Sequence, residues 1–373
     1  MMLGLPYHVA LLYQPGGWIV AVGKQSAALG WLASVIHQFR MPAFFIVAGY
    51  FAAMLLQRRT PGRWWRSRIV RLGVPFLSSI LLLVPAMNIF AELSGRPLQA
   101  AIREWKHQSA ISGGYWVRHL WFLIVLVYLS TLIAGLTALR PSLAAWRFSE
   151  RLDTALALAM PFVLVGVAGL IGAYEAVAME GFHRAGWTTD LLQDSLRLNE
   201  LIVFAPYFLV GFLLQRSHRL LDAFGRFSWP VAAVAAATVA YGVGWSPHGD
   251  DMVTSFIGGV AALTASQVTI ACARTWFDRP SRTIDRLVAG SFVLYLFHMP
   301  VLIGLFTLAK PVAISPAIDF SLILIATMAI CWALCLAIER SAILSFLFTG
   351  TFPAARRRSA TTEADAPLYS IPT

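Results

Sequence analysis

The chain has 373 residues, 58% of them hydrophobic and only 13% charged, at a mean hydropathy of +0.69, whereas soluble domains carry roughly a quarter charged residues. An ordinary soluble fold is thereby excluded. The formal charge of +11 comes largely from arginines in short stretches between apolar runs, where they act as topology signals, so no nucleic-acid partner is expected.

Taken in chain order, apolar runs predict helices near residues 1–13 (short), 31–57, 72–92, 119–139, 154–174, 199–215, 229–245, 253–273, 288–309 and 317–338. The expected fold is an all-α integral membrane protein of about ten transmembrane helices, the first of them truncated at its N-terminus. One domain over 1–350 would be followed by a disordered cytoplasmic tail, 351–373, rich in Ala, Ser, Thr and Pro. Cys272, Cys331 and Cys335 all lie inside apolar runs, and none has metal-ligand spacing, so they are read as packing residues and no metal is expected.

The connecting segments alternate in charge. Segments 58–71, 140–151, 216–226, 274–286 and 340–358 hold 20 of the 29 Lys and Arg. Arginine-dense loops stay on the cytoplasmic side, which predicts a cytoplasmic C-terminus. The outward segments are not bland. Segment 94–118 carries Arg96, Glu104, Trp105, His107, Tyr115, Trp116 and Arg118, and segment 175–198 carries Glu175, His183, Trp187, Asp190 and Asp194. Aromatic rings interleaved with hydrogen-bonding groups suit a sugar, although Trp and Tyr also form the interfacial belt of any membrane protein.

Ionisable groups within the bilayer are functional candidates by default. At 1.5 Å per residue, His8, His37 and His119 fall in the outer half of the membrane and His298 near its midplane. Together they are expected to line one cavity. Met299 and Pro300 follow His298 and are expected to open the helix there. A neutral imidazole can take a proton from a hydroxyl, the step a general base performs in acyl transfer. Each histidine taken alone is better explained as an interhelical hydrogen bond, and it is the four together that point to chemistry.

Arg40 lies too deep to snorkel and requires a partner. Its three-residue spacing from His37 puts both on one helix face, and Pro42 frees a carbonyl that a guanidinium can satisfy. Such a residue can hold a carboxylate, a thioester carbonyl or a developing oxyanion, or form a structural pair with an acid elsewhere. Arg68 and Arg71, at i and i+3 in a stretch of six arginines between residues 58 and 71, form a clamp suited to nucleotide phosphates, the alternative being topology signalling alone. No Walker loop, HExxH, nucleophile elbow or dinucleotide fingerprint is present.

Several stretches carry a family resemblance. The most specific runs from His37-Gln38-Phe39-Arg40-Met41-Pro42 to Gly49-Tyr50-Phe51 and on to Arg68, Arg71 and Pro75; weaker ones are Pro6-Tyr7-His8, His119-Leu120-Trp121, Ala205-Pro206-Tyr207 to Gly211, and Tyr295-Leu296-Phe297-His298-Met299-Pro300. Over most of its length the chain resembles the membrane acyltransferase family 3, and within it the glucan biosynthesis protein C group of succinyltransferases. The resemblance implies an acyl-CoA donor at the cytoplasmic face of a bacterial inner membrane and an acceptor handled in the membrane or at its outer face.

It also implies a catalytic first-helix histidine, for which His8 is the matching position. The glucan group implies succinyl-CoA, a periplasmic or envelope glycan, and a donor role for Arg68 and Arg71. His37, Arg40 and His298 are carried as further catalytic candidates, and His119 and Trp121 as substrate-binding ones. The family usually has an Arg about ten residues before that histidine, a position that would precede Met1, so an upstream start carrying the missing turn is expected. The polar residues alone equally fit a transporter or exporter of a carbohydrate, against which the two halves show no obvious internal repeat.

Overall fold

The computed structural model describes residues 2–20, 23–187, 191–244, 252–308 and 314–352, and among them every regular element is a helix. Among the described residues eight helices are long and apolar enough to cross a membrane: Ala27–Arg58, Pro61–Leu93, Gly113–Leu139, Met160–Arg184, Gln193–Leu214, Met252–Phe277, Arg282–Leu308 and Pro316–Arg340. A ninth crossing arises if His218–Phe224 and Trp229–Gly244, bent by 58°, count as one span. The chain is a multi-pass all-α membrane protein. The first apolar run, expected to be short, forms among the described residues a helix of only 8 residues, Gly4–Leu11. That helix is about 12 Å long, well short of the ~30 Å hydrocarbon layer. Asp190, and the expected tail from residue 353 onward, lie outside the described residues.

Helices here start and stop at caps more than at charges. Ser26 Oγ accepts the Leu29 N–H and opens Ala27–Arg58. Thr60 and Pro61 open the next helix, Pro61 lacking only an N–H that would have had no intrahelical partner, so Arg63, Arg66, Arg68 and Arg71 ride on a helix and not in a loop. The segment read as an outer loop at 94–118 contains the helices Leu98–Ile111 and Gly113–Val117. Glu175, also read as a loop residue, sits well inside Met160–Arg184. A single acid does not stop a helix whose backbone groups bond internally; it needs only a partner, and Glu175 has one in the Tyr207 hydroxyl.

Two pairs of glycines set the helix crossings that shape the interior. A Cβ on Gly49 would lie 1.9 Å from Phe208 O, and one on Gly211 would lie 1.8 Å from Ile46 O, so Ala27–Arg58 and Gln193–Leu214 touch backbone to backbone. Likewise a Cβ on Gly172 would meet Phe256 O at 2.4 Å and one on Gly259 would meet Gly172 Cα at 2.7 Å. Lipid gives no hydrophobic drive between helices, so small residues at the seam are what allow such close packing. The first crossing sets His37 and Arg40 around the same space as Phe204 and Tyr207.

The short first helix is held by a core of its own. Leu5, Val9, Ala10, Leu12 and Tyr13 pack with Met87, Met299, Leu302 and Ile303, and Val9, Ala10 and Tyr13 are fully buried. His8 is thereby fixed against the Arg282–Leu308 helix.

Candidate active site

Prolines inside the helices explain where several polar side chains go. A proline lacks the N–H that the carbonyl four residues earlier would accept. For Pro300 that carbonyl is Leu296 O, and His119 Nε2 lies 3.3 Å from it. Pro206 similarly frees Ile202 O, which accepts from the Tyr174 hydroxyl at 3.2 Å. For Pro42 the freed carbonyl is Gln38 O, and Ser266 Oγ donates one residue further on, to Phe39 O at 3.2 Å. The Arg282–Leu308 helix consequently runs through Pro300 without opening.

A carbonyl only accepts, so His119 Nε2 carries the ring proton, and His119 Nδ1 is left buried without a partner. His119→Ala should destabilise the bundle by about 1–3 kcal/mol through the orphaned Leu296 carbonyl. Pro300→Ala in the same chain should recover most of that by restoring the missing N–H. A thermal-unfolding double-variant cycle measures the coupling, and purely additive effects would contradict the assignment.

The same reasoning fixes a histidine pair. His298 Nδ1 lies 3.1 Å from Leu294 O and 2.7 Å from Tyr295 O, so it carries a proton. In the neutral pair His298 Nε2 is then an acceptor, and its contact is His8 Nδ1 at 2.9 Å. His8 therefore donates through Nδ1 and keeps a free lone pair on Nε2. Trp18 stacks on the His8 ring, with centroids 5.6 Å apart and planes 19° from parallel, which holds the imidazole flat.

His8, His37, Arg40, His119 and Trp121 line one cavity of about 400 Å³, together with Tyr7, Trp18 and Gln38. A smaller pocket of about 70 Å³ shares His8, Arg40, His119 and Trp121 with it and adds His298 and Tyr295. Arg40 pairs with no acid among the described residues. Its guanidinium instead lies over the Tyr7 ring, 3.8 Å from the centroid, with Nε buried and unpartnered. The Tyr7 hydroxyl is 3.1 Å from His37 Nδ1, linking the first helix to the motif helix. Arg118, held at a left-handed φ of 46°, also reaches the cavity and donates from Nε to Asn88 Oδ1 at 2.8 Å.

Arg68 and Arg71 line neither of these two cavities. Arg71 is exposed, while Arg68 Nε is buried without a partner. The backbone of Arg71 is covered by Gly350, where a Cβ would come within 2.6 Å of it. Trp18 and Tyr207 also line the main cavity without having been picked out as site residues from the sequence, and Glu175, read there as part of an outward segment suited to a sugar, lines it from inside a helix. An aromatic beside an apolar run carries no local mark of the cavity it faces, and for Glu175 the available signal was an acid next to a long apolar stretch.

A family model described as an acyltransferase domain matches residues 1–336. The chain belongs to the acyltransferase 3 family. It is thus an acyltransferase, and membership decides between the enzyme and exporter readings that the polar residues alone left open. Among similar proteins, the Glucans biosynthesis protein C of Salmonella typhimurium is 28% identical, over 97% of this chain and 94% of the relative. That of Salmonella heidelberg is also 28% identical, over 95% and 92%. No solved structure matches the chain.

Proposed function

We propose that this acyltransferase takes an acyl group, succinyl in our reading, from acyl-CoA at the cytoplasmic face of a bacterial inner membrane and places it on a hydroxyl of a periplasmic or envelope glycan. The observation that carries the proposal is the 2.9 Å His8–His298 contact, which leaves His8 Nε2 free beside a cavity that Arg40 also lines. The similar proteins are named for glucan biosynthesis, which supports a glycan acceptor. The arginine-dense segments support a cytoplasmic C-terminus.

In this mechanism His8 Nε2 takes the proton of the acceptor hydroxyl as its oxygen attacks the thioester carbon. The tetrahedral oxyanion forms beside Arg40, whose guanidinium, with Nε buried and unpartnered, offsets its charge. Collapse breaks the C–S bond, and the departing thiolate receives the proton held on His8. His298 keeps His8 in the required tautomer, while His37 holds Tyr7 under Arg40. Arg68 and Arg71 are assigned to the phosphates of the donor, which the orphaned Arg68 Nε supports.

Purified protein in nanodiscs, given radiolabelled succinyl-CoA and short β-linked glucose oligosaccharides, should release one thiol for each label that becomes covalently attached to sugar. Thiol release without labelled sugar, or sugar movement across a vesicle without covalent label, would overturn the proposal.

A further inference from the structure

Glu175 is a carboxylate in a membrane-crossing helix, 8% exposed. Such a group costs several kcal/mol unless it is paired or hydrated. Among the described residues it forms no ion pair. Oε1 accepts from the Tyr207 hydroxyl at 2.7 Å, and Oε2 has no hydrogen bond among the described residues. Glycine at 259 leaves that second oxygen clear, since a Cβ there would lie 3.0 Å from it. Both Glu175 and Tyr207 line the 400 Å³ cavity that holds His8.

The same cavity carries an aromatic platform. Trp121 stacks on Phe204 with centroids 5.4 Å apart and planes 22° from parallel, and Phe204 in turn stacks on Phe45 at 4.8 Å, so Phe204 backs Trp121 and the outer face of Trp121 is the one left to a ligand. A carboxylate with a spare oxygen in the same cavity as a backed indole face is the pattern that a sugar ring requires: its hydroxyls donate outward, and its apolar C–H face rests on an aromatic.

We infer that Glu175, oriented by Tyr207, and the Trp121–Phe204 platform form the subsite for the acceptor's sugar ring, and that the carboxylate's grip on neighbouring hydroxyls determines which hydroxyl faces His8. This inference rests on the acyl-transfer reading above. Glu175 acts here as a positioning and specificity residue, with no part in proton transfer. A purely structural role, gluing Met160–Arg184 to Gln193–Leu214, is the competing explanation.

Glu175→Gln separates the two, because its amide oxygen still accepts from Tyr207 while its second position becomes a donor. With short β-linked glucose oligosaccharides as acceptor, Glu175→Gln should raise the acceptor KM about tenfold or more, with the donor KM and melting temperature unchanged. Tyr207→Phe should move acceptor KM in the same direction by less. An unchanged acceptor KM in Glu175→Gln, a parallel rise in donor KM, or a lowered melting temperature with KM intact would each overturn the subsite. Wild-type protein that labels no oligosaccharide would instead bring down the acyl-transfer reading, and the subsite with it.

Discussion

His8→Ala should lower the rate of acyl transfer by about 10²- to 10⁴-fold, the range that a positioned general base contributes. The reason lies in the tautomer. With His298 Nδ1 facing two carbonyls, the only arrangement of the neutral pair that keeps the 2.9 Å contact leaves the His8 lone pair on Nε2. The other imidazoles around the cavity are held differently: His119 donates its Nε2 proton to Leu296 O and buries its Nδ1, while His37 Nδ1 contacts the Tyr7 hydroxyl. The variant should remain folded, because the first helix is anchored through the buried side chains of Leu5, Val9, Ala10 and Leu11. Steady-state transfer measured alongside a melting curve checks both parts. A rate within about threefold of wild type in a folded His8→Ala variant would exclude it as the base.

The second large effect concerns folding. Gly211→Leu should abolish the folded bundle, since its first side-chain carbon alone would stand 1.8 Å from Ile46 O. Overpacking typically costs ~1–3 kcal/mol where side chains can yield, but here the obstacle is main chain, so a whole helix has to move. The seam is reciprocal: Gly49 meets Phe208 O on the same crossing, and Gly49→Leu should do the same. Separation of the crossing would also pull His37 and Arg40 away from Phe204 and Tyr207, so any residual protein should be inactive. Size-exclusion chromatography in mild detergent reads the outcome. A monodisperse Gly211→Leu peak with wild-type melting would show that these helices do not touch as described.

Much of this architecture can be read from apolar runs, because a helix crossing lipid must be both long and apolar whatever its neighbours are. The rule fails at helix ends. Arg63 to Arg71 continue a helix that begins at Pro61, and Glu175 sits inside one, since charge near a span changes its partners and not its backbone bonding. The site is harder to read. His8 and His298 lie 290 positions apart, and no local pattern reports that they are 2.9 Å from each other. Pro300 was legible as a break, but not its resolution: the freed carbonyl is met by His119 from a distant helix, so the main chain stays helical. The i, i+3 spacing of Arg68 and Arg71 is real, yet spacing along one helix says nothing about which cavity it faces, and these two line neither. Trp18, which stacks on His8, follows two turn glycines, Gly16 and Gly17, and offered no signal of its own.

Chemical rescue tests the role of His8 most directly. Deleting its ring enlarges a cavity that already holds about 400 Å³, so imidazole added to His8→Ala should enter and restore acyl transfer saturably, more strongly as rising pH converts imidazole to its neutral form. Undiminished transfer by His8→Ala with no imidazole present would contradict the account.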